Sequence, residues 1–149
     1  MSVLRSEPTV RKAVLIDDTP DIRDLLRLVL ESGGQVEVVA EAADGVAGIR
    51  AVQQAQPDVV LLDLRMPVMD GLEALPGIKL ACPRARVVVY SAYSGDVMAQ
   101  RALAAGADGY LQKGLAPRAI QAFVADLFTP SVPRQASPVR GQSGRPDSV

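Results

Sequence analysis

A chain of 149 residues, 48% hydrophobic and 22% charged, can form one domain with a real core, and no apolar run approaches the ~18 residues of a bilayer span. Sixteen basic against seventeen acidic residues leave a formal charge of −1, without the cationic excess of a phosphate-backbone binder, so direct DNA binding is not expected. One cysteine, Cys82, and no histidine exclude an internal disulfide, a cysteine or histidine zinc cluster, Ser-His-Asp and Cys-His triads, and self-donation from a phosphohistidine. The chemistry left is that of carboxylates, hydroxyls and lysine. The start MSVLRSEPTVRKAVLI has neither the apolar stretch nor the cleavage site of a secretory signal, so the expected address is cytoplasmic.

Residues 1–10 read as an N-terminal extension. From 11 to 128 strand-like and helix-like segments alternate five times, the pattern of a doubly wound parallel sheet covered by helices on both faces. The first strand is KAVLI (12–16). Thr19 and Pro20 then open a helix, the hydroxyl expected to cap free N–H groups, with Ile22, Leu25, Leu26, Val29 and Leu30 forming one apolar stripe that Gly33 and Gly34 terminate. Strands VEVVA (36–40) and DVVLL (58–62) follow. Pro76 and Gly77 fall inside the next helical stretch, LEALPGIKLA, where an interior proline costs about 3 kcal/mol, so a kink or a late start is expected there. ARVVVY (85–90) and DGYLQ (108–112) complete the strands, and the last helix carries Ile120, Phe123, Val124 and Leu127 after Pro117. Residues 129–149, rich in proline, serine and glycine, read as a disordered tail that cannot offset its ordering entropy.

In an open parallel sheet, ligands bind outside the carboxyl ends of the strands. Asp17 and Asp18 follow the first strand, Asp63 the third, Ser91 the fourth and Lys113 the fifth. Taken singly, these are ordinary residues: turn-forming aspartates, a loop hydroxyl and a surface lysine. Taken together they converge on one edge. Three carboxylates held close repel one another unless a divalent cation and a lysine balance them, and an all-oxygen donor set suits Mg2+, with Mn2+ able to replace it. A carboxylate can attack phosphorus to give an aspartyl phosphate while cations offset the charge on the transferring group.

The segments VLIDD, VVLLDLRMPVMDG, VVVYSA and GADGYLQKG, in this order over residues 11 to 128, resemble the signatures of response-regulator receiver domains of two-component systems. The resemblance implies a flavodoxin-like fold with strand order 2-1-3-4-5. It implies that Asp63 is the phospho-acceptor, served by the phosphohistidine of a sensor kinase or a phosphotransfer protein. Asp17, Asp18, Asp63 and the backbone carbonyl of Arg65 would hold magnesium, Ser91 and Lys113 would bind the phosphoryl group, and Ser91 with Tyr110 would form the switch. Output to a partner protein, or a phosphorylation-dependent homodimer, would use the fourth helix, fifth strand and fifth helix. Arg65 and Tyr93 are expected to flank the phosphoryl group and restrict attacking water.

EAADG, DLRMPVMDGLEAL and AGADGYLQKG are most similar to receivers that precede a helix-turn-helix domain, and no second helical pattern follows here. A stand-alone receiver and a shortened transcription regulator both fit. Two readings from other classes fit less well. A hydrolase with an aspartate nucleophile, of the haloacid-dehalogenase kind, has a second aspartate two residues later, where this chain has Arg65. A flavodoxin-like cofactor binder wants a phosphate-cradling loop after strand one, where this chain has two aspartates.

Overall fold

A computed structural model describes residues 9–92 and 95–129. Five strands alternate with five helices: β1 (Arg11–Ile16), α1 (Pro20–Glu31), β2 (Val36–Ala42), α2 (Gly45–Ala55), β3 (Val59–Asp63), α3 (Gly71–Ala81), β4 (Arg86–Ser91), α4 (Val97–Ala104), β5 (Gly109–Gln112) and α5 (Pro117–Leu127). All strand pairings are parallel and the order is β2-β1-β3-β4-β5, the flavodoxin-like arrangement. The expected strands hold to within two residues at each end.

Alternation along the central strands divides the core between the two faces. Val14, Ile16, Val60, Leu62, Val87 and Val89 pack with Val52 of α2, Leu75 and Ile78 of α3, and Ala99 and Ala102 of α4. Ala13, Leu15, Val59, Leu61, Val88 and Tyr90 point the other way and meet Leu26, Val29 and Leu30 of α1 and Ile120 and Val124 of α5. Every residue of β3 is buried, as a strand covered on both faces must be. Chain order reverses between β1 and β3. The carboxyl ends of those two strands therefore open onto the crevice where such sheets place their ligands.

Two local expectations change. Thr19 stands at the N-cap of α1, but its side chain makes no capping bond; Asp17 Oδ1 instead accepts from Thr19 N at 2.9 Å, an aspartate turn that closes the β1–α1 corner. Nor does α3 start late. Asp70 and Glu73 form a reciprocal capping box that secures its first turn at Gly71, and Pro76 stands inside an unbroken helix. As its sixth residue, Pro76 lies just beyond the turn whose N–H groups have no helical partner, so one hydrogen bond is forgone. Residues 130–149, most of the expected tail, lie outside the described residues, as do residues 1–8 of the N-terminal extension. Among the described residues, no helix is long and apolar enough to cross a membrane.

Candidate functional site

The strand ends bring Asp17, Asp18 and Asp63 together, with one carboxylate oxygen from each lying within 4.8 Å of the others. Asp17 and Asp63 are 2% and 4% exposed, whereas Asp18 faces solvent. Asp17 is fixed from both sides, its Oδ1 by Thr19 N and its backbone carbonyl by Arg23 Nη1 at 2.6 Å. Asp63 is the last residue of β3, and its Oδ1 accepts from Arg65 N at 3.2 Å and from Lys113 Nζ at 3.2 Å. Lys113 is itself positioned by its backbone, whose N–H donates to the Ser91 carbonyl across β4 and β5 at 2.6 Å.

Charge does not balance in this pocket. Burial, and then the nearby Asp17 charge, push the Asp63 carboxyl up to about 6. For Lys113, burial acts to lower the pKa, but the Asp63 and Asp17 charges outweigh it and hold the ammonium above its ordinary value. One ammonium thus serves two buried carboxylates. Asp17 Oδ2 is buried and accepts no hydrogen bond, with Lys113 Nζ 3.5 Å away as its ion-pair partner. An orphaned buried oxygen beside two further carboxylates is a donor set fit for a hard divalent cation.

Gly71, which sequence reasoning did not single out, shapes the acceptor strand end. A Cβ on Gly71 would collide with the Asp63 carbonyl and lie 2.9 Å from Leu64 Cα, so α3 can start against β3 only with a glycine here. Its N–H donates to Leu64 O at 3.1 Å. The signal in the sequence was Asp70-Gly71, a helix cap followed by a residue without a side chain.

Ser91 and Arg65 are engaged on one further residue that the sequence did not flag. Ser91 is buried at the end of β4 and its hydroxyl donates to Asp96 Oδ2 at 2.5 Å. Arg65 Nη2 lies 2.9 Å from both oxygens of the same carboxylate. Tyr110, paired with Val89 across β4 and β5, is partly buried against the core on the α4 side of the sheet. Tyr93 lies outside the described residues.

Comparison with known proteins adds the family context. Residues 13–125 match the family model described as the response regulator receiver domain. The chain is 47% identical over 96 residues to a protein-glutamate methylesterase/protein-glutamine glutaminase of Hahella chejuensis, a stretch covering 63% of this chain and 27% of that protein. It is 31% identical over 119 residues to the chemotaxis protein CheY of Halobacterium salinarum, covering 80% of this chain and 98% of the other. Among solved structures, the signal receiver domain of the putative response regulator NarL from Mycobacterium tuberculosis superposes with a TM-score of 0.75 at 35% identity, over 80% of this chain and 97% of that one. The first of these relatives is thus far longer than the shared region, while the other two are matched almost end to end.

Proposed function

The chain belongs to the response regulator receiver domain family, and from that premise we propose that it accepts a phosphoryl group on Asp63 from a histidine kinase or a phosphotransfer protein, with Mg2+ bound beside it. The observation that carries this reading is the position of Asp63: buried at a strand end, raised to about 6, within 4.8 Å of two more carboxylates and 3.2 Å from the lysine. At pH 7 and above the carboxylate is ionised and nucleophilic, yet poorly stabilised. Its Oδ1 is occupied by Arg65 N and Lys113 Nζ, so Oδ2 would be the oxygen that attacks phosphorus.

The transfer balances simply. An Asp63 oxygen forms a bond to phosphorus, the phosphorus–nitrogen bond of the donor's phosphohistidine breaks, and its electron pair stays on the imidazole. Lys113 would offset negative charge on the transferred oxygens, and the Ser91 hydroxyl would donate to them. Asp17 and Asp18 would hold Mg2+ together with Asp63 and the Arg65 carbonyl; the ion, where Mn2+ could stand in, supplies charge neutralisation on the phosphoryl oxygens.

Signalling would follow from a shift of Ser91 and of Tyr110 on the α4 side of the sheet, read by a partner protein on the surface of α4, β5 and α5. Val97, Leu103 and Leu115 are exposed apolar residues on or beside these elements, in keeping with a protein partner there. The test is intact mass after incubation with acetyl phosphate. A Mg2+-dependent phosphoryl adduct is expected on the wild type and not on Asp63→Ala; no adduct, or one persisting in the variant, refutes the proposal.

A further inference from the structure

Asp96 has no place in the acidic cluster, yet among the described residues it is one of four buried polar or charged ones, with Asp17, Asp63 and Ser91. Its side chain caps α4, with Oδ1 accepting from Met98 N at 2.8 Å. The remaining capacity of that carboxylate is spent on the phosphoryl site: Oδ2 takes the Ser91 hydroxyl, and both oxygens take Arg65 Nη2. Ser91 follows Tyr90, the register partner of Asp63, and Arg65 stands two residues after Asp63. Both donors thus flank the acceptor from adjacent strand ends while bound to a different anion.

We propose that Asp96 is a positioning residue, an internal carboxylate that holds the Ser91 hydroxyl and the Arg65 guanidinium in place of the phosphoryl oxygens, so that modification of Asp63 must take these donors from it. The inference rests on Asp63 being the acceptor. A phosphoryl group, with about two negative charges and three acceptor oxygens, presents the same two donors with a stronger anion than a carboxylate. When they leave, Asp96 stays buried at the N-terminus of α4 with the cap as its remaining stabilisation. The start of α4 then becomes the first element outside the site to feel the modification.

The arrangement sets the affinity of the site for phosphoryl oxygens and can be read with beryllofluoride, a stable phosphoryl mimic, in the presence of Mg2+. Asp96→Asn removes the charge, and Asp96→Ser keeps a capping side chain too short to span Ser91 and Arg65. Freeing one good hydrogen-bond donor predicts that half-saturating beryllofluoride falls by about fivefold in both variants. In a background carrying both Ser91→Ala and Arg65→Ala, where neither donor remains, the same substitutions are expected to shift it by less than about twofold, which a merely structural cap would not produce. Unchanged affinity in both Asp96 variants, or a gain that persists without both Ser91 and Arg65, overturns the proposal. Loss of beryllofluoride binding by the wild type itself removes the Asp63 reading and this inference with it, a result distinct from wild-type binding that Asp96 does not influence.

Discussion

Two clusters of charge lie within a few residues of each other, and they are built on opposite terms. On α1 and β2, Glu41 receives Arg23 Nε at 2.9 Å and Arg27 Nη2 at 2.7 Å, and Arg27 also pairs with Glu31 at 3.6 Å. Burial raises the Glu41 pKa, but hydrogen bonds and charge from the two arginines overcome it, and the carboxyl is held below its ordinary range. At the strand ends, two buried carboxylates share a single lysine beside an exposed third carboxylate, and Asp63 moves the other way. The first cluster is balanced by its two arginines, whereas the second holds an excess of negative charge suited to a divalent cation. Arg23 links them, since the guanidinium that serves Glu41 also holds the Asp17 carbonyl.

The difference can be broken experimentally, beginning with the largest effect. Mg2+ at about 100 times its dissociation constant should stabilise the wild type by about 2.7 kcal/mol, a rise in Tm of several degrees, and EDTA should reverse it. Asp17→Asn should abolish the response, while Glu41→Gln should leave it intact. A wild-type Tm indifferent to Mg2+ would remove the electrostatic argument.

Next is the acceptor itself. Because its folded pKa is raised, ionising Asp63 costs folded-state stability: the cost is absent below the ordinary value of 3.8 and complete once pH has risen past about 6. Asp63→Asn should therefore stabilise the metal-free protein at pH 7.5 by about 1–2 kcal/mol, with the gain disappearing near pH 4. Paired denaturation curves at the two pH values measure it, and a variant less stable than the wild type at pH 7.5 would contradict it.

The smallest effect belongs to the balanced cluster. Glu41→Gln should cost about 1 kcal/mol at pH 7.5, where both arginines lose a charged partner. Here the sign of linkage is reversed: a lowered carboxyl contributes stability above its ordinary value of 4.5 and loses it as pH falls further. A Glu41 variant as stable as wild type at pH 7.5 would show those pairs to be ornamental.

The sheet and the acidic edge were legible in the sequence because an open parallel sheet sorts residues by position. Apolar runs become central strands, and the polar residue that ends each run, Asp17, Asp63, Ser91 or Lys113, must emerge on one edge. What escaped depended on how turns fold back. Asp96 reads as an acid before a helix, which is a cap, and nothing in its spacing from Ser91 reveals that the β4–α4 connection returns its carboxylate to that hydroxyl. Gly71 reads as an ordinary helix start, and only the approach of α3 to the Asp63 carbonyl shows why a side chain is forbidden there. Thr19 reads as a capping hydroxyl, but Asp17 takes that corner by accepting the Thr19 N–H, which also fixes its carboxylate within the acidic cluster. The Glu41 cluster was invisible for a related reason, since its partners lie 14 and 18 residues away on another element.

Asp63 as the phosphorylated residue can be tested chemically at single-residue resolution. An aspartyl phosphate is reduced by borohydride to homoserine, whereas free aspartate is not. Treatment of the protein after exposure to acetyl phosphate and Mg2+, followed by peptide mapping, should place homoserine at position 63 and leave Asp17 and Asp18 unchanged. Homoserine at position 17 or 18, or at none of the three, would contradict the assignment of Asp63 as the acceptor.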